Sequence, residues 1–87
     1  MDKEKKEEII TQFRIKDNDS GSVEVQVALL TERINRLTEH LRLYPQDRST
    51  RHALQGVIGR RRRFLNYLNR TAPKRYHSLV TRLELRE

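Results

Sequence analysis

Ser22-Val23-Glu24-Val25-Gln26-Val27-Ala28-Leu29-Leu30-Thr31-Glu32-Arg33-Ile34-Asn35-Arg36-Leu37-Thr38-Glu39-His40-Leu41 decides the fold, because apolar side chains recur at Val23, Val27, Leu30, Ile34, Leu37 and Leu41. Steps of four and three lay these positions on one stripe of a helix, whereas a half-buried strand would need strict alternation. Ser22 is placed to cap this helix, its hydroxyl accepting from an otherwise unpaired amide, and Glu24 puts a carboxylate in the positive first turn. The helix is expected to end before Pro45, which cannot continue it.

Working outward, a second long stripe runs through Leu54, Val57, Ile58, Phe64, Leu65 and Leu68. Ser49 or Thr50 would cap its start, and it should stop near Thr71, ahead of Pro73. Tyr76, Leu79, Val80 and Leu83 predict a short C-terminal helix with Pro73 tolerated in its opening turn. Ile9, Ile10 and Phe13 predict a short N-terminal helix, expected to be the most mobile because it has only three apolar anchors. Strand alternation and hairpin-turn pairs are missing. Residues 1–87 therefore read as one all-α domain of four helices. Since only Leu43 to Arg48 join the long stripes, these two should form an antiparallel hairpin on which the short helices pack.

A chain of 87 residues buries a modest core and is marginally stable alone. Its net charge of +7 is unevenly spread: Met1 to Glu24 holds five basic and seven acidic residues, Val25 to Glu87 fourteen and five. From Arg48 to Leu83, ten Lys or Arg occur with no Asp or Glu. A polyanion is the partner such a field selects. The chain has no Cys, so disulfides and thiolate metal sites are excluded. No apolar run is long enough to span a membrane, and the charged Met1 to Glu8 lacks the character of a signal or transit peptide. The expectation is a soluble intracellular protein.

Helical geometry assigns the central arginines unequal roles. At 100° per residue Arg61 falls in the sector of Leu54, Val57, Ile58, Leu65 and Leu68, so its stem should run over the core and its head find a carboxylate on a neighbouring helix. The opposite face collects Gly56, Gly59, Arg63, Tyr67 and Arg70, with Arg60 at its margin and Arg62 off to the far side. Glycine within a helix costs about 1 kcal/mol relative to alanine, so two on one turn ask for a reason, and close approach of a sugar-phosphate backbone supplies one. Tyr67 between Arg63 and Arg70 suits RNA, where bases stack on aromatic rings and guanidinium groups meet phosphates. A solvated basic face carrying a half-buried tyrosine would show the same spacing, and spacing alone does not separate the two.

Asp17-Asn18-Asp19-Ser20-Gly21-Ser22 reads as a turn entering a helix, and its glycine and hydroxyls beside a helix N-terminus could also hold phosphate or sugar oxygens. It lacks the remaining ligands of a calcium loop. Gln26, Arg33 and His40 lie seven apart along one edge of the first long helix, where boundary residues are common. His40, His52 and His77 match neither zinc spacing nor a catalytic triad, so no enzyme, metal or cofactor is expected.

Asp19-Ser20-Gly21-Ser22-Val23-Glu24-Val25-Gln26-Val27-Ala28-Leu29-Leu30-Thr31 closely resembles the bacterial and organellar ribosomal protein fifteen of the small subunit. The likeness continues through Arg33 to Leu41, Arg61-Arg62-Arg63 before Leu65, Tyr67-Leu68, Arg75-Tyr76 and Leu85-Arg86, and so covers essentially the whole chain. The resemblance implies a four-helix, non-enzymatic protein of cytoplasmic or organellar ribosomes, monomeric when free. It implies a primary binder of a three-way junction in the central domain of small-subunit ribosomal RNA, promoting assembly beside neighbouring small-subunit proteins and contributing to a bridge with large-subunit RNA. Residues matching Ser20, Gly21, Gln26, Arg33, Arg63, Tyr67 and Arg70 would meet the junction, and those matching His40, Asp47 and Thr50 would read a nearby minor groove. Gly59 and Arg60 would support by close approach and charge.

Departures from the family pattern concentrate in the loop. Pro45-Gln46 stand where two lysines are usual, Thr50 replaces Ser, and His52-Ala53 replace an Arg-Gly pair, while Ser20 keeps the hydroxyl of the usual Thr. Two other functions compete with RNA binding. A DNA regulator would put a basic helix in a major groove, yet the long antiparallel helices lack helix-turn-helix spacing and a dimer stripe. A membrane-surface helix would need the apolar stripes that the core requires.

Overall fold

In a computed structural model, residues 3–13 and 22–83 are described. Four helices follow in order: α1 (Lys3–Phe13), α2 (Val23–Leu43), α3 (Arg48–Thr71) and α4 (Pro73–Leu83). The described residues contain no strand. All four expected elements are present, with α2 and α3 as the long pair.

Side-chain chemistry sets the boundaries. Ser22, in extended conformation, accepts from the Val25 amide at 3.3 Å and caps α2. The expected cap of α3 is corrected: the helix begins at Arg48, and Asp47 caps it by accepting from the Thr50 amide at 3.0 Å. Pro45 and Gln46 form a turn in which the Asp47 amide returns to Tyr44 O at 3.1 Å, and this delivers the Asp47 carboxylate to the helix start before Ser49 or Thr50 can serve. At the other end, the residue before a proline is kept out of the helical region. Ala72, at φ −149° and ψ 72°, breaks α3 from α4, and Pro73 opens α4 where its missing N–H costs nothing.

The pairing of α2 and α3 is antiparallel: Val23 lies beside Tyr67, Thr31 bonds Arg61, and His40 reaches Asp47. Two apolar clusters line the seam. At the base, Ile9 and Phe13 of α1, Val25, Val27 and Ala28 of α2, Leu68 of α3, and Tyr76 and Leu79 of α4 are buried together. Nearer the tip, Leu30, Ile34 and Val57 form a smaller cluster flanked by Leu37, Leu54, Ile58 and Phe64. Each fully buried Leu or Val, such as Leu68 or Val25, stabilises the fold by roughly 1.5–3 kcal/mol.

Polar ties fix the short helices. Glu24, buried in the first turn of α2, accepts two hydrogen bonds of 2.6 Å from the Arg75 guanidinium of α4. Arg82 donates to Gln12 O at 2.7 Å and lies 4.3 Å from the centre of the Phe13 ring. One cation thus meets both the carbonyl end of α1 and its last aromatic anchor, the end where a positive charge is favoured.

Candidate nucleic-acid interface

Three turns of α3 carry the basic face predicted from the arginine spacing. Arg60, Arg63, Tyr67 and Arg70 are exposed, and Arg62 is exposed as well. Tyr67 shows 48% of its surface, and the Arg70 guanidinium carbon stands 5.8 Å from its ring centre. Arg60, Arg63, Phe64 and Tyr67 line a shallow hollow of about 390 Å³ with Val23 across the seam. Its walls are apolar and aromatic while its rim is cationic, which suits a planar base above and a phosphate at the edge.

The helix glycines open this face further. A Cβ placed on Gly56 would meet nothing within 4 Å, and one on Gly59 would meet only Arg63 Nη1 at 3.9 Å. Packing inside the protein therefore does not require glycine at either position. Close approach of a partner from outside would supply a requirement that offsets the cost of about 1 kcal/mol of a glycine within a helix.

Arg61 points the other way, as its angle predicts, but its expected carboxylate partner is corrected. It is half-buried, donates from Nη1 to Thr31 Oγ1 at 3.2 Å, and burial pushes its pKa down. The Thr31 hydroxyl in turn donates a hydrogen bond to Val27 O at 2.8 Å, so one hydroxyl joins the two long helices. The neighbouring acid, Glu32, turns along α2 to Arg36 at 3.5 Å. Thr31 carries no charge, and its place at the end of the family-like stretch did not mark it as a partner of Arg61.

At the hairpin tip, His40, Asp47 and Thr50 form one hydrogen-bonded group. Asp47 Oδ2 accepts from Thr50 Oγ1 at 2.8 Å and stands 2.9 Å from His40 Nε2, while Oδ1 takes the Thr50 amide. The Thr50 amide, then the Thr50 hydroxyl and His40, hold the Asp47 pKa down at about 2. His40 also stacks on Tyr44, ring centres 5.0 Å apart. Thr50 and Tyr67 are separated by about 26 Å along the axis, at 1.5 Å per residue.

Gln26 is half-buried and Arg33 exposed on α2, and neither is drawn into the tip group or the hollow. Ser20 and Gly21 lie outside the described residues. The Glu24–Arg75 pair was not foreseen as a pair, although Glu24 precedes Val27 and Ala28 by one turn and so sits on the core side of its helix. Among the described residues no group of three His, Cys, Asp or Glu could hold a metal ion. No described helix is long and apolar enough to cross a membrane.

The helical hairpin with its open, arginine-rimmed face defines a small, basic, all-α protein. Residues 5–86 match the family model of ribosomal protein S15. The "Small ribosomal subunit protein uS15" of Thermotoga petrophila is 53% identical over 87 residues, covering 100% of this chain and 97% of that protein. Its namesake from Caldanaerobacter subterraneus subsp. tengcongensis is 51% identical over all of this chain and 99% of its own length. That of Chloroflexus aurantiacus is 51% identical over 99% of this chain and 97% of its own length. The chain belongs to the ribosomal protein S15 family. It is a structural, non-enzymatic constituent of the small subunit of the cytoplasmic ribosome.

Proposed function

We propose that this protein binds a three-way junction in the central domain of small-subunit ribosomal RNA, through the α3 face of Gly59, Arg60, Arg63, Tyr67 and Arg70 together with Ser20, Gly21, Gln26 and Arg33. His40, Asp47 and Thr50 read a minor groove on one arm of that junction. The observation carrying the proposal is the Arg63–Tyr67–Arg70 face, with its exposed ring, flanking guanidinium groups and two glycines that nothing inside the protein demands. Phosphate contacts supply affinity, and the separation of the two clusters along a stiff hairpin supplies selection for shape.

By holding the arms of the junction at fixed angles, the protein binds early and favours the RNA form that neighbouring small-subunit proteins need. In the assembled ribosome it adds a contact to large-subunit RNA, and it is monomeric when free. Chemical footprinting of small-subunit RNA with and without the protein tests the junction. Protection confined to one three-way junction, with affinity falling steeply as salt rises, is the expected result. Scattered protection, or preference for duplex DNA in competition, overturns it.

A further inference from the structure

We infer that the exposed ridge of Leu43 and Tyr44 at the hairpin tip packs against the sugar edge of an RNA minor groove, a contact added to the hydrogen-bonding group of His40, Asp47 and Thr50. The inference rests on the RNA-binding proposal above and deepens it.

Leu43 and Tyr44 are 59% and 60% exposed, and with Tyr67 they are, among the described residues, the large apolar side chains most open to solvent. A single exposed leucine or tyrosine asks for no explanation. Here two are adjacent, and the turn that carries the ring is tied down before any ligand arrives. The Tyr44 amide donates to His40 O at 2.8 Å, Tyr44 O accepts from the Asp47 amide at 3.1 Å, and the ring leans on His40 at 36°. Arg51 braces the same turn by donating to Pro45 O. A turn whose backbone is already held gives up less freedom on binding, so more of its contact area is converted into affinity.

Charge selects the occupant. The two carboxylates of the tip are both engaged, Glu39 by Arg42 at 2.6 Å and Asp47 by the start of α3, while Arg48 and Arg51 add positive charge beside the ridge. A second copy, itself carrying +7, is repelled from this surface, and a polyanion is drawn to it. The wide, shallow RNA minor groove presents ribose carbons and 2′-hydroxyls, and the apolar ring and terminal hydroxyl of Tyr44 match both. Because the Tyr44 ring lies against His40, the ridge adjoins the His40, Asp47 and Thr50 group.

Affinity for a junction RNA, measured over a salt series, tests the ridge. Tyr44→Ala should lose about tenfold, the size of one aromatic stacking contact, with the slope of log affinity against log salt unchanged. Tyr44→Phe should keep most of the affinity, whereas Arg48→Ala should lower the slope by about one. Far-ultraviolet dichroism checks that Tyr44→Ala keeps its helices. On a junction whose minor-groove arm is cut short, wild type and Tyr44→Ala should bind equally. Wild-type affinity of Tyr44→Ala on the full junction, a loss that persists on the shortened one, or a wild-type dimer abolished by Tyr44→Ala would each overturn the ridge. Failure of the wild type to bind any junction RNA would instead remove the RNA-binding proposal beneath it.

Discussion

The base of the helical hairpin and its tip are made from the same two helices but are held by different forces. At the base all four helices contribute to a cluster of eight buried residues, and Glu24–Arg75 and Arg82–Gln12 tie the short helices across it. Toward the tip only α2 and α3 remain, with three buried residues, and the last turn is organised by the Asp47 carboxylate. Stability is thus concentrated in the buried seam at the base, beneath the outward face of α3 that carries Tyr67 and Arg70. The tip and the open face of α3 are left polar, exposed and cheap to specialise.

Core truncation should divide the two regions most sharply. Leu68→Ala, at a side chain 1% exposed in the base, should cost about 3 kcal/mol, and Val57→Ala, in the smaller cluster, about 2 kcal/mol. Urea denaturation reads both, and equal losses would erase the distinction. Next in size, Arg63→Ala or Tyr67→Ala should weaken junction RNA by about 1–3 kcal/mol with little change in the melting temperature, whereas Arg62→Ala should do less. Titrations giving the same loss at all three positions would refute the facial assignment.

Gly59→Ala sharpens the contrast because its two effects should have opposite signs. The free protein should gain up to about 1 kcal/mol, since the added methyl meets only Arg63 Nη1 at 3.9 Å, while RNA affinity falls. A gain in both would mean that no backbone approaches that turn. The smallest effect belongs to acid. The Asp47 pKa is held below its ordinary 3.8, at about 2, so its contribution to stability is complete above pH 4 and is lost as pH falls toward 2. Melts of wild type and Asp47→Asn across this interval should converge as the pH drops, and parallel curves would remove Asp47 from the account.

Much of this was legible because helices announce themselves by period. The six apolar positions of α2, the stripe of α3 and the prolines at 45 and 73 were enough to place the two long helices and their pairing, and the shorter apolar sets at residues 9–13 and 76–83 placed α1 and α4. The cap of α3 was misplaced since Ser49, Thr50 and Asp47 are all competent caps, and the Pro45–Gln46 turn, a three-dimensional matter, chooses among them. Angle alone turned Arg61 inward, but its partner depends on which α2 residue faces it across the seam, and Thr31 rather than an acid stands there. The facing of Arg63 and Tyr67 was readable from rotation about one helix. The grouping of His40, Asp47 and Thr50 came from the family resemblance alone, because it spans two helices and a turn that rotation about one helix does not relate.

Arg82, lying over Phe13 and bonded to Gln12 O, joins positions seventy residues apart. Closing so long a loop carries a larger entropic cost than forming the α2–α3 hairpin, whose partners meet across a short turn. An order of folding events follows from that difference: the hairpin closes over a short span, α1 can pack early on the neighbouring α2, and the Arg82 tie that locks its carbonyl end is added last.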